Sequence, residues 1–286
     1  MQKLRWPADH AALTDAALLP WHRGADELCP SAVVRCTLRY LPGRRVATMV
    51  DTADGPGVLK VFASPRARGN DRRLRALAEV LPNQVPTPRG VDQQGHVSLV
   101  SFTEGTVFDQ LDDHEFVRSA PLVGGALGSF HRSGAVLDRC WTIDEELTQL
   151  GRRFPENVSA LVTSSIEARD DLAAAELVSA HRDCHPRQVV VQGDTVTWID
   201  LDDAAMAPAA LDVGNFVAHL RRDAVIAARD RSATDAAIDG FLAGYGATPT
   251  GTDDWERLSL ARLSGLAVQR HHQPDWAAAI EQLLQP

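Results

Sequence analysis

The sequence lacks the long apolar runs that mark membrane proteins. No segment of its 286 residues approaches the roughly 18 uncharged residues of a membrane-spanning helix. The first residues, MQKLRWPADH, also lack the apolar core of a signal peptide. With 44% hydrophobic and 23% charged residues, the composition is that of a globular protein. We therefore expect a cytoplasmic protein with one large domain or two lobes and a substantial core.

Cysteine is scarce, and its spacing excludes two classes of small domain. The chain has four cysteines and no CxxC pair, which argues against both a disulfide framework and a zinc ribbon. An excess of positive charge is also missing, because the formal net charge is -9. This balance argues against nucleic acid as the main partner. It is compatible with a cationic substrate.

Glycine-rich phosphate-binding motifs are absent as well. Neither GxGxxG nor GxxxxGK[ST] follows any predicted strand. The turn at 41–45 is the remaining candidate for a loop that covers phosphate. Gly124, Gly125 and Gly128 lie within an apolar helical pattern, so we interpret them as close-packing positions. The arginine cluster over 66–75 is interpreted as a solvated helix face.

The pattern of residues changes from strands to helices along the chain. Strands are predicted over 32–41, 45–51, 58–62 and 97–102, with helices over 8–19 and 70–81. Further helices are predicted over 116–133 (regular from Pro121), 143–153, 156–180, 209–230, 232–245, 253–270 and 274–284. The hairpin at 188–200 is the only clear β signal in the second half. These patterns predict an α+β fold with a β-rich lobe over 1–102 and a helical lobe over 103–286.

Residues 181–203 carry the most informative chemistry. Asp183 precedes the amide of Gln188 by five residues, and Asp200 follows a strand-like stretch. Two carboxylates and an amide separated by a short hairpin suit phosphoryl transfer. One carboxylate orients the attacking hydroxyl, while the amide and the other carboxylate hold Mg²⁺ on nucleotide phosphates.

Neighbouring residues of this block receive structural interpretations. His181 is expected to bond to backbone around the loop, and His185 to pack within it. Strand alternation predicts that Asp200 and Asp202 share one face, with Asp203 on the other. Asp212, which opens the next helix, is expected to accept backbone N–H bonds from the 181–188 loop.

Lys60 lies inside an apolar strand, where a lysine is costly unless its ammonium finds a partner. A kinase-type site supplies two partners, nucleotide phosphates and a carboxylate on a helix. Glu79, nineteen residues later, is the candidate carboxylate. Taken alone, Lys60 would be interpreted as lying on a solvated strand face. The 181–203 block favours the functional interpretation.

The motifs together resemble those of the aminoglycoside phosphotransferase and choline-kinase-like family. They are His181-x-Asp183-x-x-x-x-Gln188, the run 199–204 (Ile-Asp-Leu-Asp-Asp-Ala), and the run 211–215 (Leu-Asp-Val-Gly-Asn). The resemblance implies a protein-kinase-like two-lobe fold, with a small β-rich lobe and a larger, mainly helical one. It also implies ATP or GTP with Mg²⁺, and transfer of the γ-phosphate to a hydroxyl of an aminoglycoside, amino alcohol, sugar or related metabolite.

The same resemblance implies roles for individual residues. Asp183 matches the catalytic aspartate, Asp200 the metal-binding aspartate and Lys60 the phosphate-binding lysine. Val100 to Phe102 would form the hinge, whose backbone bonds adenine. Two positions depart from the family pattern: Arg182 replaces a glycine, and Gln188 replaces the metal-binding asparagine.

Two alternatives remain at this stage. Gln188 and the weak glycine loop would also fit a degenerate member that binds nucleotide or ligand without turnover. His181, Asp183 and His185 could instead form the ligand cluster of a metal-dependent hydrolase. We expect a small-molecule hydroxyl acceptor and a monomer or dimer. Four acidic residues just past the hinge are compatible with a polyamine-like acceptor or with plain solvent exposure: Asp109, Asp112, Asp113 and Glu115.

Overall fold

The computed structural model describes residues 11–154, 172–226 and 228–284. The chain divides into two compact units, Met1–Glu104 and Gly105–Pro286. This division falls two residues after the boundary that the sequence suggests. No helix within the described ranges is both long and apolar enough to cross a membrane.

The N-terminal unit is built on a five-stranded antiparallel sheet with the order β1-β2-β3-β5-β4. Its strands are β1 Val33–Leu41, β2 Arg45–Thr52, β3 Gly55–Phe62, β4 Pro88–Val91 and β5 Val97–Ser101. Its helices are α1 His22–Leu28 and α2 Ala67–Val80. Four strands and α2 confirm the predictions within a few residues. β4 was not predicted, because it is short and begins with a proline.

The helix predicted over 8–19 is wrong where the structure describes it. Residues 8–10 lie outside the described range, and the rest forms short 3-10 turns at Ala11–Leu13 and Leu19–Trp21. The cause is Asp15, whose carboxylate accepts N–H bonds from Ala17 (3.0 Å) and Gly43 (2.7 Å). It also accepts the Tyr40 hydroxyl at 2.9 Å. Asp15 therefore ties this segment to the β1–β2 turn instead of to a helix.

The register of the sheet places Lys60 on a defined face. Lys60 pairs with Ala47 on β2 and with Ser98 on β5, and directly paired residues of antiparallel strands share a face. Leu59 and Val61 point to the other face, where they join a buried apolar cluster that includes Ala25 of α1. Lys60 therefore lies on the sheet face opposite to this cluster.

The C-terminal unit is mainly helical. Its helices are α3 Asp113–His131, α4 Ile143–Arg153, α5 Ala209–Val225, α6 Arg231–Tyr245, α7 Thr252–His271 and α8 Pro274–Gln282. Its strands are β6 Thr106–Val107, β7 Leu177–Ala180, β8 Val189–Gln192, β9 Thr195–Trp198 and β10 Ala205–Pro208. They form one sheet of order β6-β8-β9 and a second, two-stranded sheet of β7 and β10. The helices confirm the predictions over 143–153, 209–230, 232–245, 253–270 and 274–284 within a few residues.

Three details of the predicted C-terminal unit are wrong. Residues 155–171 lie outside the described range, but Leu177–Ala180, predicted as helix, form β7 because they pair with β10. Asp200 adopts a left-handed backbone conformation and a 3-10 turn follows, so strand alternation does not apply to Asp202 and Asp203. Pro121 lies inside α3, whose start is set by the Asp112 side chain accepting the Glu115 N–H at 2.9 Å.

Helices α3 and α6 approach closely through glycine. A Cβ atom added at Gly124 would lie 2.0 Å from the carbonyl oxygen of Phe241, and one at Gly244 would lie 2.0 Å from that of Pro121. Only glycine leaves room for backbone at these distances. The interpretation of Gly124 as a close-packing position is therefore confirmed.

The two neighbouring glycines of α3 give a matched test of this packing. We expect Gly124→Ala to lower the free energy of unfolding by about 1–3 kcal/mol, because the methyl group forces the helices apart. Gly125→Ala meets its nearest atom at an ordinary 3.6 Å, so it should be neutral or stabilise by up to about 1 kcal/mol. Urea unfolding of both variants measures the difference. Equal stabilities would refute the close-packing assignment.

Candidate active site

Asp212, at the start of α5, fixes the backbone of the 181–188 loop. Its buried carboxylate accepts the N–H of His181 at 2.6 Å and that of Arg182 at 2.7 Å. The Nε2 of His131 donates to the same carboxylate at 3.1 Å. The expected role of Asp212 as an acceptor of backbone bonds from this loop is thus confirmed.

Asn215 continues the same helix face one turn later. Its Nδ2 donates to the carbonyl oxygen of Cys184 at 2.7 Å, and its Oδ1 accepts from the guanidinium of Arg262 on α7. Residues three apart on a helix lie on one side, so Asp212 and Asn215 hold two successive parts of the loop from one direction. The loop is therefore positioned by a rigid element.

Asp183 lies between these two anchors and presents its carboxylate outward. About 42% of its side chain is exposed. Partial burial of Asp183 raises its pKa, whereas His185 and Arg262 lower it, and the net pKa lies below its ordinary value. The group is therefore ionised at neutral pH. An exposed carboxylate of this kind can accept a hydrogen bond from a hydroxyl.

The hairpin of β8 and β9 brings Gln188 and Asp200 together. Val189 pairs with Trp198, and the Ile199 N–H donates to the Gln188 carbonyl at 2.9 Å. As a result the Gln188 amide lies 3.5 Å from Oδ2 of Asp200. Rotation of the amide would present its oxygen beside the carboxylate. Such a pair of hard oxygen ligands fits a Mg²⁺ ion.

His181 has the structural role predicted for it. Its ring is buried, and its Nε2 donates to the Ile199 carbonyl at 2.9 Å, which ties the loop to the end of β9. The described residues include no group of three His, Cys, Asp or Glu side chains that could hold a metal. Because Nε2 of His181 is engaged by backbone, the geometry gives the hydrolase alternative no support.

His185 packs against His219 of α5, one turn after Asn215. The two rings are stacked, with centroids 4.6 Å apart and planes 19° from parallel. Burial lowers the pKa of His185 to about 4 and that of His219 well below its ordinary value. Both imidazoles are therefore neutral at physiological pH.

Arg182, which replaces the family's glycine, has a positive φ of 69°. That conformation favours glycine and strains other residues. Its guanidinium lies 3.7 Å from the centroid of the Trp141 ring, and the indole Nε1 donates to Glu146 at 2.9 Å. A cation–π contact contributes about 0.5–2 kcal/mol, which offsets part of a strain of about 1–3 kcal/mol. Burial lowers the pKa of Arg182, although the guanidinium remains charged.

The other predicted site residues belong to the N-terminal unit, and their positions are described within that unit. Lys60 is half-buried on β3, and Glu79 is exposed in the last turn of α2. The N–H of Phe102 donates to the Pro56 carbonyl at 3.1 Å, so adenine would have to use other backbone groups of this segment. Val100 lies within β5, paired with Val58. The roles of these four residues stay predictions.

The four acidic residues after position 104 all have partners within the C-terminal unit. Arg187 bonds Asp109 at 2.7 Å, Arg229 bonds Asp113 at 2.7 Å, and Arg118 bonds Glu115 at 2.6 Å. Asp112 caps α3. Because these charges are compensated within the unit, they give no support to a cationic acceptor.

Sequence reasoning missed Trp141, His219 and Arg262 around the loop, and it named Asn215 only as part of the 211–215 motif, without a role. The spacing of Asp212, Asn215 and His219 on a predicted helix could have shown that they share a face. Nothing local to Trp141 or Arg262 indicates their positions, because both come from distant parts of the chain.

Solved structures show where this fold occurs. Amicoumacin kinase hAmiN, in complex with AMP-PNP, Ca²⁺ and Ami, matches with a TM-score of 0.66 and 14% identity, covering 97% of this chain and 94% of that one. Choline kinase LicA from Streptococcus pneumoniae matches with a TM-score of 0.65 and 15% identity, covering 93% and 96%. Aminoglycoside phosphotransferase APH(3'')-Id from Streptomyces rimosus matches with a TM-score of 0.61 and 19% identity, covering 88% and 98%.

The fold is therefore the kinase-like fold of small-molecule phosphotransferases, as predicted. The model of the phosphotransferase enzyme family matches residues 43–261, and the chain belongs to that family. No curated protein matches the chain.

Burial of His219 should make the free energy of unfolding depend on pH. Its pKa is lowered in the native state, so below pH 6.5 the unfolded chain binds a proton that the native protein does not. Stability therefore falls as the pH drops, by up to about 1.4 kcal/mol per pH unit for this group. In His219→Phe the free energy of unfolding should fall less steeply between pH 6.5 and 4.5. Denaturant unfolding across this range measures the slopes, and parallel slopes would contradict the assignment.

Proposed function

We propose that the protein is an ATP-dependent phosphotransferase that moves the γ-phosphate to a hydroxyl of a small polar metabolite. The observation that carries the proposal is the ionised, outward-facing carboxylate of Asp183, held between the two anchors of α5. The side chains of Gln188 and Asp200, which we propose as metal ligands, lie 3.5 Å apart in the same unit. Family membership supports phosphoryl transfer as the reaction class.

The chemistry follows from the position of Asp183. Its carboxylate accepts a hydrogen bond from the acceptor hydroxyl, orients the oxygen toward the γ-phosphorus and takes the proton late in transfer. The bond from the hydroxyl oxygen to phosphorus forms as the bond to ADP breaks. A Mg²⁺ ion held by Gln188 and Asp200 would neutralise charge on the phosphates.

The N-terminal unit supplies the nucleotide-binding groups in this proposal. Lys60 binds phosphate oxygens, and Glu79 is its candidate carboxylate partner. The backbone of Val100 to Phe102 contacts adenine through groups other than the Phe102 N–H. The AMP-PNP and Ca²⁺ named for the hAmiN complex support an adenine nucleotide with a divalent cation.

The acceptor is proposed as an aminoglycoside-, sugar- or amino-alcohol-like molecule. Structures with this fold include a choline kinase, a glucosamine kinase and an aminoglycoside phosphotransferase, which cover these three chemistries. A screen of ATP consumption against aminoglycosides, sugars, amino alcohols and nucleosides would identify the class. Location of the phosphate on the product would then identify the hydroxyl. Consumption of ATP with any acceptor would exclude a binding-only protein.

Replacing Asp183 tests the proposed catalytic group. Asp183→Asn should lower kcat by about 10²- to 10⁴-fold, because the amide cannot accept the proton. Nucleotide affinity should stay close to that of the wild type. Asp194→Asn is the matched control, since 88% of the Asp194 side chain is exposed. Wild-type turnover in Asp183→Asn would rule out the assigned role.

Replacing the two oxygen ligands tests the proposed metal site. Asp200→Ala should abolish the Mg²⁺ dependence of nucleotide binding, which calorimetry with and without the metal would measure. Asp194→Ala serves as its control. Gln188→Asn keeps an amide on a shorter arm and should leave activity similar or improved. Mg²⁺-dependent binding that survives in Asp200→Ala would contradict the ligand assignment.

A further inference from the structure

His185 lies next to Asp183 in the loop, and its hydrogen bonds determine which ring nitrogen carries the proton. The backbone N–H of Arg187 donates to Nδ1 of His185 at 3.2 Å. Nδ1 therefore acts as an acceptor and carries no proton. In a neutral imidazole the proton then lies on Nε2.

This protonated nitrogen faces the catalytic carboxylate. Nε2 of His185 lies 3.8 Å from Oδ2 of Asp183. That distance exceeds a direct hydrogen bond, and catalytic contacts often shorten only when substrate is bound. A neutral N–H attracts one oxygen of the carboxylate without forming an ion pair. That attraction would leave the other oxygen, Oδ1, available to an acceptor.

The orientation of the His185 ring is set by α5. His219 stacks on it at a centroid distance of 4.6 Å. His219 follows Asn215 by four residues and Asp212 by seven, so the three side chains share one helix face. Asp212 and Asn215 hold the loop backbone on either side of Asp183. The ring is therefore held by the same element as the backbone.

We propose that His185, held in place by His219, is a positioning residue that orients the carboxylate of Asp183 toward the acceptor hydroxyl. This inference rests on the proposed function, because it assigns to Asp183 the contact with the acceptor. It adds two residues that are not among the proposed nucleotide-binding groups or metal ligands.

A first experiment determines which nitrogen of the His185 ring is protonated, and it needs no acceptor. Long-range ¹H–¹⁵N correlation on the full chain labelled with ¹⁵N-histidine, at pH 7, reports the tautomer of each imidazole. The His185 signal is identified by its loss in His185→Gln. We expect a neutral ring protonated on Nε2. A proton on Nδ1, or an imidazolium, would overturn the proposal even if no acceptor were ever found.

A second experiment measures kinetics with the acceptor found in the screen. We expect His185→Ala to lower kcat on the order of 10- to 100-fold with the nucleotide KM unchanged, as a misplaced catalytic group does. In His185→Gln the amide nitrogen reaches the position of Nε2 and should recover most of the loss. His219→Phe, which can still stack, should retain more activity than His219→Ala.

His114→Ala is the matched control, since 85% of the His114 side chain is exposed on α3. It should leave kcat unchanged. Equal loss in His185→Gln and His185→Ala, in step with lowered melting temperatures, would show a merely structural role and overturn the proposal. An inactive wild type would instead count against the proposed function. In that case the tautomer measurement still decides the orientation of His185.

Discussion

The structure of the site depends on one buried carboxylate. Asp212 has no exposed surface and accepts hydrogen bonds from two backbone N–H groups and one imidazole. A buried charge is tolerated only when such bonds replace its hydration. The compensation therefore forces residues 181 and 182 against the start of α5. The start of the 181–188 loop is fixed by this attachment.

Two further side chains on the same face of α5 contact later residues of the loop. Asn215 holds the carbonyl of Cys184, and His219 stacks on the ring of His185. Asp183 projects from a segment whose backbone is fixed on both sides, so in the proposed reaction it would need little rearrangement to meet a substrate. Preorganisation of this kind lowers the entropic cost of bringing reacting groups together. The site is thus built as much by a helix as by the loop that carries the motif.

Two departures from the family pattern have different physical consequences. Arg182 occupies a left-handed conformation that glycine would adopt without strain, and its stacking on Trp141 offsets part of that strain. Gln188 carries the same amide as asparagine on a longer arm, and the β8–β9 hairpin still brings it beside Asp200. The first substitution adds a contact outside the motif. The second leaves the type of side-chain group unchanged.

The sequence by itself determined the class of fold, most helices and the residues of the 181–203 block. Hydrophobic periodicity and motif spacing are local, so they survive without tertiary information. It also predicted the role of Asp212, since a carboxylate at a helix start beside a loop has few other uses. The sequence did not allow the short strands β7 and β10 to be predicted, because each forms its sheet hydrogen bonds with the other.

Tertiary structure alone decided which side chains surround Asp183. Arg262 comes from α7, and Trp141 reaches Arg182 from the segment before α4. It also decided that Asp109 pairs with Arg187 and Asp113 with Arg229, which lie 78 and 116 residues away along the chain. Local patterns cannot encode such pairs, because the energy of a contact depends on distance in space and not on separation in sequence.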